Sequence, residues 1–491
     1  MKFIRWAGIF MLAALAACSQ TPPETKLIQQ AADAMGGAAK IQAAKTLVIE
    51  GEGLAGNLGQ NVLPESKLQN WEVTEYKRST DLAGGRYALQ MVRTAKTFPF
   101  APGAVQRQNQ GLDGDVAYNV GGPQNAATRA SAMVARDRRL EALHHPLTAV
   151  RAALDPTSKV TGFHSEGLLQ VVNVETAKGD MFTLAVDLST HLPTAVRSTA
   201  YNANLGDVVI QTVFADYADA GGFKLPTHLQ TKQDKDIAFD LKVSSNKVDA
   251  DVGDLAAPAD VVAGEEPPMY PVYDIKPVQI AKGIWLLPAS HNSVVFEFKD
   301  HLTLLEAPLN ESRGLAVIAA AKALVPGKPL TTLIVTHHHF DHTGGLRAAV
   351  AEGLTIIADR NMEGFIDQMT ARPHTIVQDA LAKSPKPAKI DSVEDQKMLK
   401  DDAMEVRLYH VNNLEHSGSM LMVFVPSEGL LINADLYGPG FATFPAWDTM
   451  LKNIADRGIK VEKHLPIHGT LQTAKEAADT VAAKTAAKPA G

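Results

Sequence analysis

Four histidines and an aspartate stand within six residues, His337-His338-His339-Phe340-Asp341-His342. Neutral imidazoles and carboxylates are the donors that borderline divalent metals prefer, so the chemistry on offer is metal binding. Along an extended segment, alternation turns His337, His339 and Asp341 to one side and His338 and Phe340 to the other. One turn can therefore feed two ligand sets, with His338 facing away from both. A fortuitous or tag-like histidine run would stand in polar, low-complexity surroundings. This one follows the apolar run Leu333-Ile334-Val335 and precedes Gly344-Gly345 and an Ala-rich helical segment, so a buried strand delivers it to a polar turn.

A single turn needs help from distant strand ends to close a metal site, and three residues sit at such places. His416 lies in Glu415-His416-Ser417-Gly418-Ser419 ahead of the apolar residues 420–425, Asp435 closes the buried run 430–434, and His468 lies in Leu465-Pro466-Ile467-His468-Gly469 before the last helical segment. Each one alone would read as a capping or core polar residue. In this order behind the His-rich turn, they make residues 278–480 resemble the metallo-β-lactamase superfamily, the His-x-His-x-Asp-His hydrolases with an αββα sandwich fold. The resemblance implies two divalent metal ions, expected to be Zn2+. His337, His339 and His416 would hold one, Asp341, His342 and His468 the other, and Asp435 would bridge both. The pattern departs at Glu306 in Leu304-Leu305-Glu306-Ala307-Pro308, where many members carry Asp. Glu306 is expected to bond to the metal loop from behind the ligands.

Two dications about 3.5–4 Å apart bring the pKa of a shared water from ~15.7 towards ~7 and so supply hydroxide at neutral pH. They also hold the charge that develops on a polarised carbonyl or phosphoryl oxygen. The reaction class is hydrolysis. Asp341 is suited to orient the attacking hydroxide or carry its proton to the leaving group. Tyr437, two residues past Asp435, and Asn292, ahead of an early strand, are candidates for stabilising the oxyanion, against ordinary packing or turn bonding. The expected substrate is a small molecule with an ester-like bond: a lactone, carboxylic ester or thioester. A phosphodiester or sulfate ester is the first alternative, because the same pair of metals serves in-line displacement. Asp435 argues against a β-lactamase, since in the superfamily the bridging Asp goes with lactonase, thioesterase and phosphodiesterase branches. A non-enzymatic alternative is a lipid- or partner-binding lipoprotein with a structural metal domain. The full ligand set weighs against it, because structural zinc sites are closed and mononuclear.

These residues occupy the second half of a 491-residue chain, long enough for more than one core. With 45% apolar residues and a net charge of −7, the composition is globular and gives no basic footprint for nucleic acid. At the N-terminus, Lys2 and Arg5 flank the start of an apolar stretch that ends in Leu15-Ala16-Ala17-Cys18. This is the plan of a secretory signal, and it resembles the lipobox of bacterial lipoproteins. The resemblance implies a signal peptide at 1–18, cleavage before Cys18 and a lipid anchor on that thiol. Ser19 would then favour the outer membrane, with the protein facing the periplasm. Cys18 is the one cysteine, so no disulfide is expected.

Residues 19–25 read as a polar tether and 26–264 as a mainly antiparallel β domain with a few helices. Apolar or alternating runs at 71–76, 86–92, 168–174, 182–186, 208–214 and 237–243 are bounded by turns such as Ala83-Gly84-Gly85 and Gly221-Gly222. Helical patterns cover 27–35 and the region around 129–154. The strand–turn–strand phrase at 218–226 resembles lipoprotein-sorting carriers. His144-His145, beside Pro146 and without a carboxylate in metal spacing, reads as a helix end. Four prolines in residues 265–277 mark an interdomain linker. Beyond it, strands and helices alternate as a two-sheet sandwich requires, making the chain a two-domain α+β protein. Its Ala-rich residues 481–491 are expected to be disordered.

Overall fold

The computed structural model describes residues 21–97 and 103–486. Cys18 and the signal segment lie outside the described residues. No described helix is long and apolar enough to cross a membrane.

In the first domain, thirteen strands form one antiparallel sheet. Neighbours in the chain are neighbours in the sheet, except that the consecutive strands Ala126–Arg129 and Lys159–Glu166 form its two opposite edges and the first strand, β1 (Thr46–Gly56), also pairs with the last, Asp236–Val248. β1 pairs on its other side with β2 (Asn70–Asp81), and residues 57–69 form the loop between them. The helix Pro23–Met35 lies on the sheet because Leu27, Ile28, Ala31, Ala32 and Met35 recur at helical spacing and share one core with Leu47, Ile49, Tyr87, Leu184 and Val196. It starts inside the stretch read as a tether, with Pro23 in the first turn, where a missing N–H costs nothing. The helical pattern around 129–154 is two helices, Ala132–Leu143 and Pro146–Leu154, broken at His144-His145. His144 turns inward to Thr212 Oγ1 and Ser198 Oγ, at 2.9 and 2.8 Å.

Residues 264–277 carry neither helix nor strand. The second domain then stacks a seven-stranded sheet on a six-stranded one. The first four strands of the larger sheet are antiparallel, and Leu302–Leu305, Leu330–Ile334, Thr355–Asp359 and Lys389–Val393 run parallel. Alternation explains their unbroken apolar runs. Leu305, Ile334 and Ile357 face the second sheet and share a core with Val406, Leu408 and Met422. Their neighbours Leu304, Leu333 and Ile356 face the helices Glu311–Leu324, Leu346–Glu352 and Glu363–Ala371. Strands covered on both faces lose the polar alternation of surface strands. On the outside of the six-stranded sheet lie Trp447–Asp456 and Ala474–Ala486. That last helix corrects the expected tail: residues 481–486 are helical because Val481 packs on the core and Lys484 Nζ donates to the Pro439 and Phe441 carbonyls.

Candidate metal centre

Strand ends at one rim of the sandwich deliver the His-rich turn and its distant partners. Leu330–Ile334 feeds Thr336, whose N–H donates to Glu306 Oε1 at 2.8 Å while its carbonyl accepts from Leu421 N at 2.8 Å. Both sheets thus fasten the start of the turn. His416 arrives ahead of the strand Leu421–Val425, and Asp435 follows Leu430–Ile432. His468 follows Lys463–Leu465, which runs parallel to Leu430–Ile432.

The seven residues expected as ligands converge in two groups, His337, His339, His416 and Asp435, and Asp341, His342, Asp435 and His468. Within each group the donor atoms lie within 4.8 Å of one another. Asp435 belongs to both: its Oδ2 is 3.3 Å from His416 Nε2 and its Oδ1 is 3.2 Å from His468 Nε2.

An outer contact fixes the His339 tautomer. His339 Nε2 is 2.9 Å from the Asn61 carbonyl, which can only accept, so Nε2 carries the hydrogen and Nδ1 turns its lone pair inward. His342 places Nδ1 3.2 Å from Glu306 Oε2 and turns Nε2 towards Asp341 and Asp435. Burial pushes the His337 and His339 pKa values well below the ordinary histidine range, so both rings are neutral. Burial also works against charge on His342, but Asp435, Asp341 and Glu306 outweigh it and lift its pKa well above that range. Burial opposes ionisation of Asp341 and Asp435 in the same way, yet the neighbouring imidazoles, His342 foremost, hold both carboxylates below theirs.

This donor set fits divalent cations. His337 Nε2 faces the lone pair of His339 Nδ1 at 3.1 Å, an approach of ring nitrogens that a shared proton or a cation reconciles. Glu306 supports the set from behind. It is fully buried, it spends one oxygen on the turn and the other on His342, and it holds a φ of 68°. That left-handed conformation costs a non-glycine residue on the order of 1–3 kcal/mol and persists where surrounding contacts impose it.

Two expected oxyanion groups are corrected. Tyr437 is fully buried, its hydroxyl donates to Gln472 Oε1 at 2.6 Å and its ring packs against Phe444 and Trp447. Asn292 is 1% exposed and spends its amide hydrogens on the carbonyls of Pro466 and Gly469, clamping the loop that carries His468. Neither is available to a substrate. His338 stays outside both groups, with Nδ1 2.8 Å from Ser419 Oγ.

The neighbour of Asn292 does reach the site. His291 Nε2 lies 3.1 Å from Asp341 Oδ2, and its ring centre is 4.2 Å from that of His468. Buried Arg313 holds the His291 carbonyl at 3.2 Å, and burial keeps the imidazole pKa below its ordinary value. The signal for it was the phrase Ser290-His291-Asn292 at the same rim. Two further contacts come from the first domain: Gln60 Nε2 donates to Asp341 Oδ1 at 2.8 Å, and Asn61 supplies the carbonyl on His339. Exposure is uneven across the site. The side chains of Asp341, His468 and His291 are 29%, 20% and 14% exposed, against 8% or less for His337, His342, His416 and Asp435.

Residues 286–447 match the sequence model of the metallo-β-lactamase superfamily. Among solved structures, the chain is similar to a metallo-β-lactamase from Pontibacter korlensis, at 12% identity over 43% of this chain and 99% of that one, with a TM-score of 0.35. It is also similar to a metallo-β-lactamase of Pseudomonas aeruginosa in its mono-zinc form, at 17% identity over 44% and 97% of the two chains, with a TM-score of 0.35. An inverting sec-alkylsulfatase from a Pseudomonas species matches at 16% identity over 43% of this chain and 41% of its own, with a TM-score of 0.32. No functionally curated protein matches the sequence.

Proposed function

With residues 286–447 a metallo-β-lactamase superfamily domain, we propose that the protein is an exported hydrolase that uses two divalent ions, zinc by the character of its donors, on a small ester-like substrate. A lactone, carboxylic ester or thioester is the substrate class. The observation that carries this reading is Asp435, which turns one oxygen to each of two ligand groups. A structural site for a single ion is closed and mononuclear, and needs neither a shared carboxylate nor an open side.

His337, His339 and His416 would hold one ion and Asp341, His342 and His468 the other, with Asp435 between them. Such a pair of ions supplies polarisation of the carbonyl and acidification of water. The protein's own groups then govern orientation and proton traffic. Substrate enters past Asp341, His468 and His291, the exposed side of the pocket. Hydrolysis adds the hydroxyl of water to the acyl carbon, breaks that carbon's bond to the leaving oxygen or, in a thioester, sulfur, and delivers the remaining proton to it. Asp341, ionised and on the open side, relays that proton from the water to the leaving atom, and His291 steadies its carboxylate during the transfer. For the N-terminal segment we propose the lipoprotein route, with a lipid on Cys18 holding the protein at the outer membrane in the periplasm. A Cys18→Ala protein should then leave the membrane fraction.

The test is turnover by the metal-loaded protein across lactones, carboxylic esters, thioesters, phosphodiesters, sulfate esters and β-lactams. The expected result is hydrolysis of a member of the first three classes, lost on chelation and restored by zinc. Turnover confined to the other classes, or none at all, would overturn the reading.

A further inference from the structure

We propose that the β1–β2 loop of the first domain is a working part of the metal centre, with Gln60 as a positioning residue that sets the affinity of the Asp341, His342 and His468 group for its ion. This rests on the two-ion reading above.

The loop is braced by its own hydrogen bonds. Asn57 N donates to Gln69 O at 2.7 Å, Ser66 N to Leu63 O at 2.9 Å, and Asn61 Nδ2 to Ser66 O at 2.6 Å, so its tip is braced across itself. It then pairs with the His-rich turn through Phe340 N and Gly59 O at 3.2 Å, and with the segment after His416 through Gly418 N and Val62 O at 2.6 Å. Gly59 has a φ of 74°, and a Cβ there would stand 2.2 Å from the Phe340 ring. Only glycine permits this approach.

A second grip keeps the loop seated. Arg372 of the metal domain binds the carbonyl of Asp207 and the carboxylate of Asp234, while the Asp207 carboxylate accepts from Thr375 and from Ile376 N. Thr343 Oγ1 donates to Asn204 Oδ1 at 3.0 Å, one residue beyond His342.

What the seated loop touches is the outer side of the ligands. Asp341 turns Oδ2 towards His342 and His468, at 3.3 and 3.6 Å, and Gln60 donates to the other oxygen. A hydrogen bond on that oxygen stops the carboxylate from rotating and keeps Oδ2 aimed at the ion. The Asn61 carbonyl does the same for His339 by fixing which nitrogen is bare. Outer contacts of this kind orient ligands, and their loss costs metal affinity. A loop that served only to hold two domains together would have no need of an amide on a ligand oxygen.

The experiment is competition between the full-length protein and a chromophoric chelator for zinc, which reads the two ions separately. Gln60→Leu keeps the side-chain bulk and removes the donor. It should weaken one ion by roughly 10–100-fold and leave the other and the melting temperature as in the parent. Gln60→Glu should weaken the same ion further, because its carboxylate faces Asp341 Oδ1. Gln60→Asn, one methylene short of the contact, should behave like the leucine variant and guards against a folding failure in either of the others. Parental affinity for both ions in Gln60→Leu and Gln60→Asn, or an equal loss of both ions accompanied by a lower melting temperature, overturns the proposal. A parent chain that binds a single ion would overturn the two-ion reading instead, whatever the variants do.

Discussion

The second domain brings its polar residues to the site on the ends of buried strands, and the first brings its own on a loop. At Leu333-Ile334-Val335 the chain is apolar on both faces, so the imidazoles that follow stand out against it. At Leu58-Gly59-Gln60-Asn61 the chain has the composition of any turn, and one of its two contacts to the ligands is a backbone carbonyl. Ligands need particular side chains, whereas support for a ligand needs only a hydrogen-bond partner in the right place. The first kind of contribution leaves a pattern in the sequence and the second does not.

Breaking the second domain's contribution should have the largest effect. His339→Ala removes a ligand and the Asn61 contact together, and should lower zinc affinity by more than the roughly 10–100-fold typical of an outer contact, with loss of turnover. Glu306→Ala should fall within that range, since it removes only the support of His342 and Thr336; metal competition measures both. Gly59→Val tests the first domain's part by forcing its loop off Phe340. It should cost about 1–3 kcal/mol of stability and make residues 264–277 easier to cleave in limited proteolysis.

The first domain should also show its own pH dependence, away from the metals. Burial lowers the His144 pKa to about 3, so the folded state stays unprotonated while the unfolded chain takes a proton at about 6.5. No stability is lost above about pH 6.5, and below it this group removes up to about 1.4 kcal/mol per pH unit until pH 3 is approached. His144→Gln should make the fall of melting temperature with acid shallower. The smallest effect is expected from Tyr437→Phe, which should cost about 0.5–1.5 kcal/mol for the lost Gln472 bond and leave turnover unchanged.

The same contrast governs how far each domain could be read from its residues. His416, Asp435 and His468 were legible because Asp435 and His468 end apolar runs and His416 stands just ahead of one. Tyr437 and Asn292 were misread because nearness in sequence does not give side-chain direction. Tyr437 turns into the core two residues past a ligand, while His291, beside Asn292, turns into the site. In the first domain, strands such as Val105–Asp113, nearly all polar, and β1, with Gly51 and Gly53 inside it, lack the alternating apolar signal that marks a half-buried strand. Their pairing is settled by neighbours far along the chain. The helix through 481–486 was hidden for a related reason, since its composition resembles a frayed tail and its order comes from the core and from two carbonyls near residue 440.

The central claim is that Asp435 joins two ligand groups into one hydrolytic centre. The most direct measurement is the number of zinc ions retained per chain after loading and gel filtration, by elemental analysis of the full-length protein. Two are expected, one for each group. One ion or none would contradict it.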